Sequence, residues 1–494
     1  MSGRLLRKDE DVLDHAREMA MQGKIVVVGA SAGGCRVALA AQAAGHDVTL
    51  VDEHPQAMKD MSFDAPWFYG AGLPSALLND NSIAQAVLEG SPELIECLES
   101  GVDVRVSTVL WGAFRNGPNS VNVGRPRVGL VNRDGNEILE HDTLVIATGV
   151  RDFVPSFKGW ELPGVFGGKA GIAMLDLYQV FEGRKAVVLG TSELALRFIR
   201  SALARGTEIV AVIEAGQEVY AGPEAAAWLA ERGIPVHLRH VVHEALGKTE
   251  VSGAICVSLD GDATFAVDCD SIAVAIATLP NIELPAAMGC KMHYDPGLAS
   301  WVPEVDARGE TSLESVYWLR DDASSEALLA SIKGETNADR FPPHAAQTQP
   351  TLDYIKTWIS ALHESGGDDV NICQCETVTR GEFCGIAPPS YLGQGLRHAQ
   401  SPIVHSDAAR APRINQDFMK RMTRVSMGHC QGKRCRDEAS IALALRFGVD
   451  PDAIRPASYR FPLRPIDLAL IADDDESEDI RLHWQMWPYE TRQD

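Results

Sequence analysis

The sequence lacks long apolar runs, and it has far fewer basic than acidic residues. Its 494 residues include 45 Lys and Arg against 68 Asp and Glu, a formal net charge of −23. A transmembrane helix needs roughly 18 or more consecutive apolar residues, and no stretch approaches that length, so we expect no transmembrane segment. The N-terminal segment is interrupted by acidic residues, so we expect no signal peptide. Nucleic acid is not expected as a partner, because its phosphates would repel so acidic a surface.

Disulfide chemistry is not expected either. The 10 cysteines occur without a recognisable export signal, which points to a cytoplasmic protein whose thiols serve metal or redox sites. No C-x-x-C motif stands where a thioredoxin-reductase-type dithiol would. Cys256, Cys269 and Cys290 are isolated in the sequence, as expected of small buried apolar side chains. The length predicts about three domains.

Two stretches have the strand–helix–strand pattern of nucleotide-binding domains. The first begins with the apolar run KIVVVG, continues through a glycine-rich turn and an alanine-rich helix, and ends in the strand DVTLVD. The second begins with KAVVLG and ends with EIVAVIE. Short apolar runs of this kind predict buried parallel strands. The sequence therefore predicts an α/β fold in which two Rossmann-like domains are nested, the second inserted into the first.

Changes in composition predict the domain boundaries. We expect the first domain to resume near Asp270, to close with a strand at Val316, and to give way after Lys333 to a polar, proline-bearing linker. The run of acidic residues from Asp473 predicts a solvated tail. The predicted units are 1–180 (first domain, N-terminal part), 181–269 (inserted second domain), 270–333 (return of the first domain), 334–368 (linker and helix), 369–455 (cysteine-rich domain) and 456–494 (C-terminal extension).

The first candidate site is the turn GASAGG between strand and helix. Glycines in such a turn let backbone N–H groups at the helix N-terminus approach a pyrophosphate without obstruction by Cβ atoms. An acid at the end of the next strand accepts the ribose hydroxyls. An accidental tight turn is the alternative, but the combination predicts an adenine nucleotide site. Its residues are Gly29, Ser31 in place of the usual middle glycine, Gly33, Gly34, Asp52 and Glu53.

The second glycine turn departs further from the nucleotide-binding pattern. After Gly190, serine and a bulky leucine occupy crowded positions of the turn. Glu214 ends the following strand, which favours NAD over NADP if a dinucleotide binds. Two interpretations stay open: Gly190 and Ser192 contribute to a second cofactor site, or the turn is the empty remnant of a duplicated fold.

Four cysteines form two short-range pairs, Cys373 with Cys375 and Cys430 with Cys435. Two such pairs far apart in sequence can supply four thiolates to one metal site. Flanking glycines allow tight turns that direct amide N–H groups at the sulfurs. Tetrathiolate sites bind zinc or an iron–sulfur cluster, and the spacing does not separate the two. An iron–sulfur cluster is favoured, because a cluster beside a dinucleotide fold can serve one-electron transfer.

Several segments also carry a family resemblance. They are GASAGG, LVDEHP, LVIATGVRDFVPSFKGWELPGVF, GCKMHYDPGLASWVPEVDARGETSLESVYWLRD and YRFPLRPIDL. With these segments the chain, over about residues 24–470, resembles the α-type subunits of heteromeric bacterial flavin-dependent amine dehydrogenases and oxidases. That group includes opine oxidase, hydroxyproline dehydrogenase, hydrogen cyanide synthase and sarcosine oxidase. The segment NICQCETVTRGEF together with RVSMGHCQGKRC resembles the bacterioferritin-associated-ferredoxin-like [2Fe-2S] domain.

This resemblance implies a disulfide-reductase-type flavoprotein fold with a small, α-rich C-terminal [2Fe-2S] domain. It also implies a partner, a D-amino-acid-oxidase-like flavoprotein β-subunit, and allows for a small third subunit. FAD or another adenine nucleotide would occupy the first site, FMN would lie at the interface with the partner, and an external acceptor would take the electrons. The β-subunit would oxidise the C–N bond of an amino acid, imino acid or opine-type secondary amine, and this chain would relay electrons through FMN to the cluster.

The resemblance also assigns residues, with departures. Cys373, Cys375, Cys430 and Cys435 would hold the cluster, Thr148 and Gly149 would line the pyrophosphate, and Asp321 would contact the flavin. Arg320 replaces the glycine that precedes this aspartate in the family, and an arginine side chain would crowd a diphosphate or meet it as a cation. The segment that follows Asp52 and Glu53 also lacks the family's usual glycines.

Two other functions remain open at this stage. The chain could be a self-contained NAD(P)H-dependent reductase that passes electrons through flavin to its own cluster, although the weak second turn argues against it. It could instead be a zinc-bearing scaffold in which a nucleotide is structural. We assign no catalytic residue to this chain, because no set of side chains suited to bind and oxidise an amine stands out.

Overall fold

The computed structural model describes residues 23–54, 80–117, 123–320, 328, 350–393 and 415–471. The predicted acidic tail and residues 55–79, which hold most of the segment after the Asp52 and Glu53 pair, lie outside these residues. Within the described ranges, no helix combines the length and the apolar character needed to cross a membrane.

Strands form most of the regular structure in the first two-thirds of the chain. In chain order they are β1 (Lys24–Val28), β2 (Asp47–Val51), β3 (Asp103–Arg105), β4 (Val109–Phe114), β5 (Arg127–Asn132), β6 (Gly135–Glu140), β7 (Thr143–Ile146), β8 (Val150–Phe153), β9 (Val165–Gly167), β10 (Lys185–Leu189), β11 (Glu208–Glu214), β12 (Val236–Leu238), β13 (His240–Gly247), β14 (Val251–Ser258), β15 (Thr264–Val267), β16 (Ser271–Val274), β17 (Ala277–Pro280), β18 (Met292–Asp295), β19 (Ser300–Pro303), β20 (Val316–Trp318), β21 (Asn371–Cys373) and β22 (Val378–Thr379).

Helices alternate with these strands and dominate the last third. The α-helices are α1 (Ala32–Ala43), α2 (Asp80–Glu89), α3 (Pro92–Glu99), α4 (Gly168–Ile172), α5 (Glu193–Ala204), α6 (Pro223–Glu231), α7 (Glu283–Ala287), α8 (Leu352–Gly366), α9 (Arg380–Cys384), α10 (Gln416–Thr423), α11 (Arg436–Phe447) and α12 (Leu468–Ile471). A π-helical turn spans Ala173–Leu177, and 3₁₀ turns span Ser390–Leu392 and Pro451–Ala453.

The first sheet is parallel and has the order β20-β7-β1-β2-β3. β1 is central and buried at four of its five positions, as its apolar sequence predicts for a strand covered on both faces. On one face Val27 packs against Val37 of α1. On the other face Val26 packs with Val128 of the antiparallel sheet β4-β5-β6. β20 belongs to this sheet although it follows the second sheet in sequence, so the two units are nested as predicted.

The second sheet is also parallel, with the order β12-β11-β10-β16-β9. It extends beyond the predicted insertion 181–269 at both ends, since it includes Val165–Gly167 and Ser271–Val274. The predicted return of the first domain near Asp270 is therefore wrong, because β16 pairs with β10 and β9 of the second sheet. An apolar run predicts a buried strand but does not specify which sheet it joins. The chain leaves and re-enters the first unit along β8 and β17, which pair antiparallel.

The cysteine-rich part consists of the hairpin β21-β22 and the helices α9, α10 and α11 around a small core. Helix α8 connects it to the second unit. Trp358, Ile359 and Leu362 of α8 are fully buried and pack in one cluster with Val241 of β13 and Ile441 of α11. This packing explains why the predicted helix after the linker forms and where it docks.

Candidate functional site

The first glycine turn lies at the carboxyl edge of the first sheet. Gly29 has a φ of +112°, and a Cβ atom there would lie 2.3 Å from the carbonyl oxygen of Ala147, so only glycine fits. A Cβ atom at Gly34 would lie 2.1 Å from the carbonyl oxygen of Gly29. The Ser31 hydroxyl caps α1 by accepting the Gly34 N–H at 3.2 Å, and Gly33 is half-buried in the first turn of α1. The turn therefore has the close backbone packing of a pyrophosphate-binding loop.

Of the two acids predicted at the ribose position, only Asp52 faces the turn. Its carboxylate accepts the N–H of Ala30 at 2.6 Å and the N–H of His54 at 2.7 Å. Burial acts to raise the pKa of Asp52, but the hydrogen bond from His54 lowers it overall. Glu53 instead accepts the Nε–H of Arg464 at 2.8 Å. The structure thus favours Asp52 over Glu53 as the acceptor of ribose hydroxyls.

Thr148 and Gly149 follow β7 at the same edge, beside the first turn. Asn281 holds them in place, since its side-chain amide donates to the Thr148 carbonyl at 2.7 Å and its backbone N–H donates to the Gly149 carbonyl at 3.0 Å. Arg320 follows β20, which pairs with β7, so the departure noted in the sequence also lies at this edge. Asp321 lies outside the described residues.

The second glycine turn has a similar backbone but different surroundings. Gly190 has a φ of +99°, and its N–H donates to the Ile213 carbonyl at 2.9 Å. The Ser192 hydroxyl donates to the Ala275 carbonyl at 2.9 Å, and Ser192 is 1% exposed. Glu214, the acid at the ribose position, is fully buried, and burial raises its pKa. The side chains of Ser192 and Glu214 are therefore both buried inside the protein.

Helix α8 supplies a partner to Glu214. The Tyr354 hydroxyl donates to its carboxylate at 2.7 Å and accepts the N–H of Thr191 at 3.3 Å. The Thr191 hydroxyl and the Gly216 N–H donate to the same carboxylate at 2.6 and 2.8 Å. The ring of Tyr220 lies against that of Tyr354, with centroids 4.0 Å apart. The crevice of the second unit is thus occupied by this chain's own side chains.

The four cysteines predicted to bind a cluster lie together as two thiol pairs that differ from the sequence pairs. Cys435 donates to Cys373 across 3.8 Å between the sulfurs. Cys375 donates to Cys430, and Cys373 lies near enough to Cys430 for their charges to interact. Gly428 must be glycine, because a Cβ atom there would lie 2.3 Å from that of Cys375. All four thiols are free of disulfides.

Backbone N–H groups also point at the first thiol pair. The pKa of Cys373 is lowered, first by the hydrogen bond from Cys435 and also by the N–H groups of Ser426 and Glu376. The Ser426 hydroxyl lies 3.5 Å from the Cys435 sulfur. One sulfur of the pair is therefore stabilised as a thiolate.

The second pair has the same character. The pKa of Cys430 falls to about 5, first through the hydrogen bond from Cys375 and also through the N–H groups of Arg434 and Gly432. His429 Nε2 lies 3.8 Å from the Cys375 sulfur. Within the described ranges, no three His, Cys, Asp or Glu side chains are grouped to hold a single metal ion.

A small pocket opens beside the second thiol pair, and its lining includes the basic residues Lys420, Lys433, Arg436 and Arg460 together with the acidic residue Glu283. Arg436 is 2% exposed, and its Nε and Nη2 make no hydrogen bond to the residues described. Burial lowers the pKa of Lys433 to about 8, and the charge of Arg464 contributes. The lining of the pocket therefore has more basic than acidic residues, and Arg436 pairs there with Glu283 and Asp437 while the Lys433 ammonium donates to the Leu463 carbonyl at 2.6 Å.

A buried ionic network fixes the cysteine-rich part to the rest of the chain. Arg151 of β8 donates to Glu283 of α7 at 2.9 Å and to Asp437 of α11 at 2.5 Å. Arg436 of α11 donates to the same Glu283 at 3.2 Å. Burial acts to raise the pKa of Glu283, but the charges of Arg151 and Arg436 lower it to about 2. Because Arg436 and Asp437 directly follow Cys435, this network positions the thiols.

Sequence reasoning missed the residues whose roles depend on distant contacts. Tyr354 reaches a turn 163 residues earlier in the chain, and Arg151 reaches Asp437, 286 residues later. The only local signal for Tyr354 was its place on the apolar face of a predicted helix, which indicates burial without a partner. The cationic residues between Cys430 and Cys435 were visible as Lys433 and Arg434, but no pattern connected them to a pocket.

Relatives confirm the predicted resemblance to α-type subunits. The chain is 22% identical over 491 residues to an opine oxidase subunit of Agrobacterium tumefaciens, and the alignment covers 91% of each protein. It is 29% identical over 225 residues to a NADH oxidase of Methanocaldococcus jannaschii, covering 44% of this chain and only 47% of that protein. The chain thus spans about half the length of the second relative.

Comparison with solved structures agrees on the fold. L-proline dehydrogenase from P. horikoshii superposes with a TM-score of 0.58 over 92% of this chain and 80% of that chain, at 17% identity. The sequence model of the pyridine nucleotide-disulphide oxidoreductase family matches residues 23–333. Since this match takes in more than half of the sequence, the chain belongs to the pyridine nucleotide-disulphide oxidoreductases.

Proposed function

We propose that this chain is the electron-transfer subunit of a heteromeric flavin and iron–sulfur oxidoreductase that acts on the C–N bond of an amino acid, imino acid or opine-type amine. The observation that carries the proposal is that Cys373, Cys375, Cys430 and Cys435 form two neighbouring thiol pairs. The alignment with the opine oxidase subunit supports the substrate class and the heteromeric assembly. The substrate would be oxidised on a partner β-subunit, in the cytoplasm.

The thiol geometry suits a two-iron cluster. Two thiolates bound to one tetrahedral metal at ~2.3 Å lie about 3.8 Å apart, whereas disulfide sulfurs lie about 2.0 Å apart. The Cys373 and Cys435 sulfurs are 3.8 Å apart. A [2Fe-2S] cluster takes two thiolates on each iron, which fits two neighbouring pairs better than a single ion would. The N–H groups aimed at Cys373 and Cys430 would stabilise the thiolates and tune the cluster.

The first glycine turn is suited to the adenine half of FAD or another adenine nucleotide. Asp52 would accept the ribose hydroxyls, and the N–H groups that begin α1 beside Ser31 would face the pyrophosphate. Thr148 and Gly149 would line its other side. When bound, FAD supplies a centre able to take an electron pair and to release single electrons.

The cationic pocket is suited to the phosphate of an FMN at the interface with the partner. Arg436 pairs with Glu283 and Asp437, but its Nε and Nη2 make no hydrogen bond to the described residues, and Lys433 lies in the same pocket. Guanidinium and ammonium groups bind phosphate through charge-assisted hydrogen bonds. Such a ligand would lie beside Cys430, so its ring would be near both the cluster and a D-amino-acid-oxidase-like flavoprotein partner. An external acceptor would then take electrons from the cluster.

The cluster assignment is tested by removing one thiol. Cys430→Ala opens the coordination of one iron, so we expect loss of the visible cluster absorbance and of more than half of the iron. Cys384→Ala is the matched control, because Cys384 is half-buried in the same domain but lies outside both thiol pairs. Iron per chain and visible spectra of the purified proteins give the result. Two irons per chain persisting in Cys430→Ala, or zinc in place of iron in the unaltered chain, would contradict the assignment.

A further inference from the structure

We propose that Tyr354 occupies the ribose position of the second dinucleotide crevice and thereby excludes NADH and NADPH from this chain. The proposal goes beyond the function proposed above, because it concerns a site which that function does not use. It identifies a residue that determines which electron donor the chain can accept.

The second unit has the parts of a dinucleotide site. Gly190 makes the tight turn between β10 and α5, with a φ that favours glycine. Ser192 stands at the N-terminus of α5, and Glu214 ends β11. In an open Rossmann unit the turn faces the pyrophosphate, and the acid accepts ribose hydroxyls. The backbone of the second unit therefore has the features of a dinucleotide-binding site.

Tyr354 takes the hydrogen bonds that a ribose would need. A ribose hydroxyl in this position donates to the acid, as the Tyr354 hydroxyl does to Glu214 at 2.7 Å. The same Tyr354 oxygen accepts the N–H of Thr191, in the turn itself, at 3.3 Å. Thr191 and Gly216 occupy the remaining space around the carboxylate, and Glu214 is fully buried. A dinucleotide could reach this acid only by displacing the tyrosine.

The position of Tyr354 is also fixed by the residues packed around it. Its ring lies on that of Tyr220, whose hydroxyl accepts the N–H of Thr351 at 2.9 Å, just before α8 begins. Tyr220 is anchored to the turn, because its N–H donates to the Thr191 hydroxyl at 2.8 Å. Further along α8, Trp358 is fully buried in the core of the second unit. Moving Tyr354 out of the crevice as a rigid part of α8 would therefore expose apolar core.

The test compares Tyr354→Ala with Tyr354→Phe by NADH fluorescence titration of the full chain, with the first site saturated by the nucleotide with which it purifies. Alanine removes the ring and favours the helix, so the crevice should open. Phenylalanine keeps the ring and should leave the crevice closed. We expect NADH to bind Tyr354→Ala at least about tenfold more tightly than the unaltered chain, and to bind Tyr354→Phe within about threefold of it.

A second substitution identifies the site that gains affinity. Adding Glu214→Gln to Tyr354→Ala should remove most of the gain, because the charged carboxylate, which can accept two ribose hydroxyls, is replaced by a neutral amide with one accepting oxygen. The proposal is overturned if the unaltered chain binds NADH in a way that Glu214→Gln weakens, or if folded Tyr354→Ala binds NADH no better. Should Tyr354→Ala fail to fold, amide exchange of the unaltered chain decides: NADH-dependent protection of residues 190–192 and 214–216 overturns the proposal, and unchanged exchange supports it. Iron content in each variant reports on the cluster separately.

Discussion

At the scale of single residues, the proposed nucleotide site at the first turn depends on Gly29, where only glycine fits. In Gly29→Ala the Cβ atom would lie 2.3 Å from the Ala147 carbonyl oxygen, so the turn must shift and we expect protein that purifies without its adenine nucleotide. Gly45→Ala is the matched control. Gly45 also has a positive φ, +89°, but a Cβ atom there has nothing within 4 Å. Gly45→Ala should lower the free energy of unfolding by about 1 kcal/mol, and the variant should still purify with its nucleotide.

Acid extracts of the two variants, separated by chromatography, measure the bound nucleotide directly. Full adenine nucleotide content in a folded Gly29→Ala protein would remove the basis for this site. Gly29 could be predicted from the sequence because its role is local, set by the strand before it and the helix after it. The sequence could not predict that Asp52, and not Glu53, faces the turn. That difference depends on Arg464, which binds Glu53 and is 411 residues from it in the chain.

At the scale of elements, β8, α7 and α11 are joined through one buried carboxylate. Glu283 pairs with Arg151 and Arg436, and removing it leaves both guanidinium groups with less compensation in the interior. We expect Glu283→Gln to lower the free energy of unfolding at pH 7 by about 3 kcal/mol. The surface pair of Glu137 and Arg105 provides the control, since Glu137 is 53% exposed and Glu137→Gln should cost less than about 1 kcal/mol.

The contribution of Glu283 should depend on pH in a defined direction. Its pKa in the folded chain is about 2, below the ordinary 4.5, so its contribution is complete above pH 4.5 and declines as pH falls toward 2. The difference between the unaltered chain and Glu283→Gln should shrink by about 1 kcal/mol between pH 5.5 and pH 3.5. Urea unfolding at both pH values measures it. A difference that stays constant, or grows toward low pH, would show that Glu283 is not ionised against these arginines.

Elements themselves were largely predictable, and their assembly was less so. The predicted strand at Glu208–Glu214 and the helix beginning at Leu352 form as expected, because apolar periodicity is a local property. The membership of Ser271–Val274 in the second sheet and the docking of Tyr354 at Glu214 depend on contacts between distant segments. The four cysteines were predicted to meet, but their spatial pairing, Cys373 with Cys435, crosses the sequence pairs and required the fold.

At the scale of the whole molecule, the two nucleotide-binding units differ in what they leave accessible. The first unit presents its glycine turn and Asp52 at a sheet edge. In the second unit, the hydroxyl of Tyr354 is hydrogen-bonded to Glu214, the acid at the ribose position. The cysteine-rich part is fixed to both by α8 and by the network around Glu283. This difference supports the proposal that electrons enter from a partner protein near the cysteines and not from a pyridine nucleotide bound within the chain.

The proposed function predicts how the complete complex should respond to an amine substrate. Amine oxidation delivers an electron pair, whereas a [2Fe-2S] cluster accepts one electron at a time, so a flavin must lie between the amine and the cluster. In the proposed function a partner subunit oxidises the amine, so the isolated chain should keep its visible spectrum unchanged when substrate is added without oxygen. In the assembled complex the flavin absorbance should bleach first and the cluster absorbance afterwards, as followed by stopped-flow spectroscopy. Turnover of an amine by the isolated chain with an artificial acceptor would contradict the relay, because this chain would then contain the oxidising site itself.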